Sequence, residues 1–149
     1  MSVFSALTVV GSFIHLPGPI PTIAFDSAPG FFVALLFGPI DGALVSGIGH
    51  LATASINGFP LGAVHLPVAL GLAGAGFVIG AVNRLRFSCS LVVALALGVA
   101  VNVGLIVLAV PVLGWQMTLG FAPFLAFAAT LNALVAGLVY FGVRGKLEI

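Results

Sequence analysis

Charge is almost missing from this sequence: four bases and three acids in 149 residues, 5% charged against 62% hydrophobic. Soluble domains average about 25% charged residues, and a chain this poor in charge cannot cover its own surface with them. Lipid is therefore the expected solvent. A formal net charge of +1 leaves no basic patch for nucleic acid. The single cysteine, Cys89, excludes an internal disulfide and a cysteine-built metal cage. Near Arg86 at an expected helix start, it reads as an inert, lipid-facing thiol. The opening Met1-Ser2-Val3-Phe4 lacks a positive n-region and a small-residue cleavage site, so a retained first span is expected. Also missing are a His-Glu-x-x-His zinc motif, a Gly-x-Ser-x-Gly elbow and a lysine-bearing phosphate loop. No enzyme chemistry and no ATP use by this chain alone are expected.

What is present is long apolar sequence cut by proline and glycine. A helix needs about 20 apolar residues to cross a core of ~30 Å. Leu16-Pro17-Gly18-Pro19-Ile20-Pro21, Gly38-Pro39 and Asn57-Gly58-Phe59-Pro60 interrupt any helix passing through them. The pattern predicts one all-α membrane domain over 1–149, with six helices at about 1–15, 22–38, 40–56, 61–83, 88–110 and 119–143. Arg84 and Arg86 fall between the fourth and fifth helices, and Arg144 and Lys146 follow the sixth. Two helices separate these clusters, so both lie on one side. The positive-inside rule makes that side cytoplasmic and places both termini there.

On this topology His15, Asp26, Ser27, Asn57, His65, Trp115 and Gln116 collect at the outer end. Ionisable groups at membrane depth cost about 2.5–3.5 kcal/mol each and by default mark a functional site. Ser46, His50, Thr53 and Asn57, spaced four, three and four apart, share one stripe of the third helix. Such groups also glue helices together, and that reading suits Ser46 and Thr53. His50 and Asn57, at the polar end, are read as cavity residues. His15 and His65 either meet a ligand or face water beside a loop. Asp26 either binds a ligand, caps the turn that follows it, or does both. A metal site of His50, His65 and Asp26 can be drawn, though without a third clear histidine or cysteine ligand. Asn102 or Asn132 is expected to clasp helices, and Trp115 is either an interfacial belt residue or an aromatic wall. Asp41 reads as a cytoplasmic cap. Gly76 and Gly80, with Ala129, Ala133 and Gly137, recur every four residues and allow close helix approach. Ser5, Thr8, Gly11 and Ser12 give the first helix a small-sided face for another helix, in this chain or a partner.

The run Asp26-Ser27-Ala28-Pro29-Gly30-Phe31-Phe32, with Gly38-Pro39, Gly47-Ile48-Gly49-His50-Leu51 and Gly58-Phe59-Pro60-Leu61-Gly62, resembles the substrate-binding S-components of energy-coupling factor (ECF) vitamin transporters. It looks most like those assigned to α-ribazole, a cobalamin precursor. The resemblance implies a six-helix S-component in a prokaryotic plasma membrane. It also implies an outward-side site closed by the loops at Leu16–Pro21 and Ile56–Pro60. A transmembrane coupling subunit and two ATPases would be the partners, with ATP used there and no cofactor bound by this chain. Thr8-x-x-x-Ser12 stands where the family commonly carries Ala-x-x-x-Ala for coupling. Ser2 departs from the nickel- and cobalt-specific branch, which has histidine there. An α-ribazole-like ligand would stack its benzimidazole on Phe31, Phe59 or Trp115 and bind its hydroxyls through Asp26, Ser27, His50, Asn57 or His65. A different vitamin, a nickel or cobalt ion, and a structural or enzymatic membrane subunit are the alternatives.

Overall fold

The computed structural model describes residues 2–14 and 24–146. His15 and the Leu16–Pro21 loop lie outside them. Among the described residues the chain is helical and contains no strand: α1 Ser2–Ser12, α2 Ala28–Leu36, α3 Pro39–Ile56, α4 His65–Asn83, α5 Ser90–Gly104 and α6 Val110–Arg144. Short 3-10 turns at Gly62–Val64 and Leu105–Ala109 lead into α4 and α6.

Two elements depart from the sequence pattern. Helix α2 is only nine residues long, well short of the expected 22–38, because Asp26 and Ser27 form a turn and Pro29 stands in the first helical turn. At 1.5 Å per residue it is about 14 Å long, under half of a ~30 Å hydrocarbon core. The gap expected between the helices at 88–110 and 119–143 is instead helical from Val110, broken only at Gly114, where φ is 75°. Pro111 is tolerated because a first-turn residue has no intrahelical N–H bond to lose, and glycine adopts the positive φ freely. Trp115 and Gln116 therefore sit on a helix. Two helical stretches are long and apolar enough to cross a membrane, Gly62–Asn83 and Ser90–Arg144, the second being α5 and α6 with the 3-10 turn between them.

The surface is apolar and much of the interior is polar. Leu70, Leu138 and Phe141 are each more than 70% exposed, while Thr8, Ser12, Thr53, His65, Thr118 and Asn132 are buried. Lipid as solvent explains this inversion, since an exposed apolar surface of this extent is untenable in water. The small-sided face of α1 is turned into this chain: Thr8 packs on Gly49 of α3, and Gly11 on the Phe25 carbonyl. Thr8 and Ser12 bond to carbonyls of their own helix and are not displayed to a partner.

Helices α2, α3 and α4 meet through small residues. A Cβ on Gly76 would lie 2.5 Å from the Gly42 carbonyl oxygen. Gly76→Val is therefore expected to destabilise the protein by about 1–3 kcal/mol through overpacking, read as a lower unfolding temperature in detergent. Gly74, two positions along the helix, has open space at its Cβ position. Gly74→Ala should be neutral or stabilising, up to the ~1 kcal/mol difference in helix propensity.

At the far end of α4 the last carbonyls of α2 are satisfied from α4. The Asn83 amide donates to the Leu35 carbonyl at 3.1 Å, and the Arg84 guanidinium donates to the Phe37 carbonyl at 2.8 Å. A cation at a helix C-terminus also complements its dipole. Arg84 and His65 thus mark opposite ends of α4, about 28 Å apart at 1.5 Å per residue.

Candidate functional site

At the His65 end, Asn132 of α6 fixes the turn before α2. Its Oδ1 accepts the Ala28 N–H at 2.8 Å, and its Nδ2 donates to the carbonyls of Ala24 at 3.1 Å and Ala128 at 2.9 Å. Ala28 has one of the orphan N–H groups of the first helical turn, and Ser27 makes no side-chain cap. Asn132 therefore caps α2 from another helix and holds Asp26 and Ser27 between its two anchor points. This is the clasp expected of Asn102 or Asn132.

The turn forms one wall of a cavity of about 100 Å³. Asp26, Ser27, His50, His65, Asn102 and Asn132 supply its polar groups, and Leu72, Leu105, Ile106, Phe121 and Leu125 its apolar walls. The Ser27 hydroxyl donates to Asp26 Oδ1 at 3.1 Å. Asp26 lies in the connection ahead of α2, outside the helices. Burial pushes its carboxyl from the ordinary 3.8 up to about 6, against the opposing effect of the hydrogen bond from Ser27.

The two histidines form an ordered chain. The Leu61 N–H donates to His65 Nε2 at 3.2 Å, and His65 Nδ1 lies 3.1 Å from His50 Nε2. A backbone amide can only donate, so His65 Nε2 carries no proton, and its Nδ1–H must donate to His50 Nε2. In this arrangement both rings are uncharged and the proton on His50 is at Nδ1. Both Nε2 lone pairs and the His65 Nδ1 proton are used in this chain. Among the described residues no three metal-ligating side chains gather, so His50, His65 and Asp26 are not assembled as a metal cage.

Asn102 is different. It is 7% exposed, lines the cavity, and has no side-chain hydrogen bond among the described residues. The side-chain polar atoms sealed away without a partner among the described residues are the Ser46 and Thr118 hydroxyls, whereas the Asn102 amide opens onto the cavity itself. It is the group most clearly prepared for a ligand.

Of the residues read from sequence, Asp26, Ser27, His50 and His65 meet at the cavity. Phe31 does not; it is wholly buried in the core with Ala75, Ile79 and Tyr140. Asn57 ends α3 and donates to the Thr53 carbonyl at 2.8 Å. Phe59 leans edge-on against His65, ring centroids 5.8 Å apart, behind the cavity wall. Trp115 is 62% exposed and is not a wall residue. Within the α3 stripe only His50 reaches the cavity. Thr53 bonds to the Gly49 carbonyl, and the Ser46 hydroxyl, against Gly30 and Gly76, is buried without a partner among the described residues. Sequence reasoning weighed Asn102 only as a clasp; an amide isolated in a run of Val, Leu and Ala was the available signal.

A family model for the substrate-specific component of ECF transporters matches residues 1–144. The chain belongs to that family. It is a substrate-binding subunit of a membrane transporter, it binds a small molecule, and it is not an enzyme. No curated protein and no solved structure matches it. S-components work with a transmembrane coupling subunit and ATPases.

Proposed function

We propose that this S-component captures a vitamin precursor, α-ribazole in the first instance, at the cavity bounded by Asp26, His50, Asn102 and Asn132. On this reading the chain is one six-span unit with both termini cytoplasmic, in a prokaryotic plasma membrane. The cavity opens to the outer side, and a coupling subunit with two ATPases moves the cargo inward. ATP is used by those partners, and this chain binds no cofactor of its own. The observation that carries the reading is the unpartnered Asn102 amide facing a carboxyl and a histidine across apolar walls. A flat heteroaromatic base with sugar hydroxyls needs that mixture.

The cavity is smaller than the roughly 300–1,000 Å³ of ligand pockets, so loading requires the walls to part. The segment from Gly58 to Leu61 is the suitable hinge. It turns through two positive φ values, 73° at Gly58 and 50° at Phe59, and holds the histidine chain at the Leu61 N–H.

Calorimetric titration of the purified protein with α-ribazole, a panel of vitamins, and nickel and cobalt salts tests this. Submicromolar binding of α-ribazole is expected. Asn102→Ala removes no hydrogen bond from the empty protein, so it should lower affinity about tenfold or more, the equivalent of one ~1.4 kcal/mol interaction, without lowering the unfolding temperature. Silence across the organic panel would sink the proposal, and uptake of nickel or cobalt alone would favour the metal-ion reading.

A further inference from the structure

The end of the bundle opposite the cargo cavity contains a second, larger one. It measures about 620 Å³ and lies between the ends of α2, α4 and α6 and the start of α5. Three of the four basic residues of the chain line it, Arg84, Arg86 and Arg144, and among the described residues no acidic one does. Arg84 is committed to the Phe37 carbonyl. Arg86 has its backbone in the left-handed region, φ 53°, which is uncommon for a long side chain, and it is exposed at the rim.

The floor is polar and incompletely bonded. Ser90 opens α5, lines this cavity, is 9% exposed, and its hydroxyl has no hydrogen-bond partner among the described residues. The Tyr140 hydroxyl accepts from Asn83 at 3.4 Å and keeps its own proton to donate. Cys89, the N-cap of α5, makes no side-chain cap; the Ser90 N–H donates to the Phe87 carbonyl at 2.9 Å, and the N–H groups of Leu91 and Val92 that follow lie before the first intrahelical bond, from Val93 to Cys89. Hydroxyl donors, a helix N-terminus and guanidinium groups together suit a phosphate.

The rest of the lining is apolar. Leu36, Phe87, Leu91, Val92 and Phe141 continue from the cavity to the lipid-facing surface, where Val92 and Phe141 are strongly exposed. Free phosphate has no use for such a shelf, whereas a phosphate attached to acyl chains does. We propose that this cavity binds the headgroup of one anionic phospholipid, with its phosphate at Arg86, Arg144 and Ser90 and its chains along Phe87, Val92 and Phe141. The proposal requires only that the chain sits in a membrane, and is independent of which cargo it carries. Basic pockets between membrane helices are known to hold anionic headgroups by this chemistry.

Native mass spectrometry of the full chain released from nanodiscs tests it. The discs contain equal dioleoylphosphatidylglycerol and dioleoylphosphatidylcholine, with and without added inorganic phosphate. One phosphatidylglycerol is expected to remain bound in preference to phosphatidylcholine. Arg86→Gln and Arg144→Gln should each reduce that retention about fivefold, and Ser90→Ala should reduce it less. Arg86→Gln touches only a rim side chain, so it reports even if the Arg144 variant folds poorly. Equal retention of the two lipids, or retention unchanged in Arg86→Gln, would overturn the proposal. So would displacement of the phosphatidylglycerol by micromolar phosphate, which would make the cavity a site for the free anion.

Discussion

Asn132→Ala is expected to cost this S-component both its fold stability and its cargo binding. The side chain makes three buried hydrogen bonds, to Ala28, Ala24 and Ala128. The Ala128 bond is within α6, whereas the Ala28 N–H and the Ala24 carbonyl are joined to that helix only through this amide. Removing it leaves one buried donor and one buried acceptor unpaired, at about 1–3 kcal/mol each. The loss should appear as a lower unfolding temperature in detergent. Binding should fall further than stability, because Asp26 is positioned by the same two anchors. Asn132→Asp separates the contributions: it keeps an acceptor for Ala28 but has no N–H for Ala24, so it should recover part of the stability. If Asn132→Ala unfolded and bound like the wild type, the turn would be held by something other than this clasp.

The elements most legible in the sequence were those set by composition. The helices α3 to α5 follow from apolar runs ended by proline and glycine, and the basic end follows from two clusters, Arg84 with Arg86 and Arg144 with Lys146. Family membership follows from motifs between Asp26 and Gly62. The errors have a common physical origin. Periodicity says which residues share a face of a helix, but not which neighbour covers that face. On the α3 stripe Ser46 packs between helices against Gly30 and Gly76, in keeping with the helix-gluing reading, while His50 further along lines the cavity. Asn57 also had the right spacing, but at a helix C-terminus its amide finds an orphan carbonyl of its own chain. Aromatic residues carry even less directional information. Phe31, Phe59 and Trp115 are equally plausible stacking surfaces in sequence, and they come to rest in the core, against a histidine and on the exposed surface respectively. The gap expected between 110 and 119 closes because Pro111 falls in the first turn of α6, where proline starts a helix well rather than breaking it.

Asp26→Asn is expected to move stability and binding in opposite directions. The Asp26 carboxyl titrates near 6 in the folded protein, raised by burial, and at an ordinary 3.8 when exposed. The folded state thus holds this proton more tightly than the unfolded state does. Its contribution is favourable in full below about pH 4, is lost as the pH rises toward 6, and stays lost at neutral pH. The difference is at most about 3 kcal/mol, at 1.36 kcal/mol for each pH unit. The amide that Asp26→Asn introduces cannot ionise, so the variant should unfold at a higher temperature than the wild type at pH 7.5, and the gap should close at pH 4. Ligand-free protein in detergent, scanned at both pH values, gives the comparison. Binding should go the other way, since an amide presents one uncharged acceptor oxygen where the ionised carboxylate presents two charged ones. Affinity for a hydroxyl-bearing cargo should drop about tenfold or more at pH 7.5. A stabilised variant with weakened binding is what a functional carboxyl in a buried turn predicts. A variant that loses stability as well would make Asp26 a structural cap for the turn.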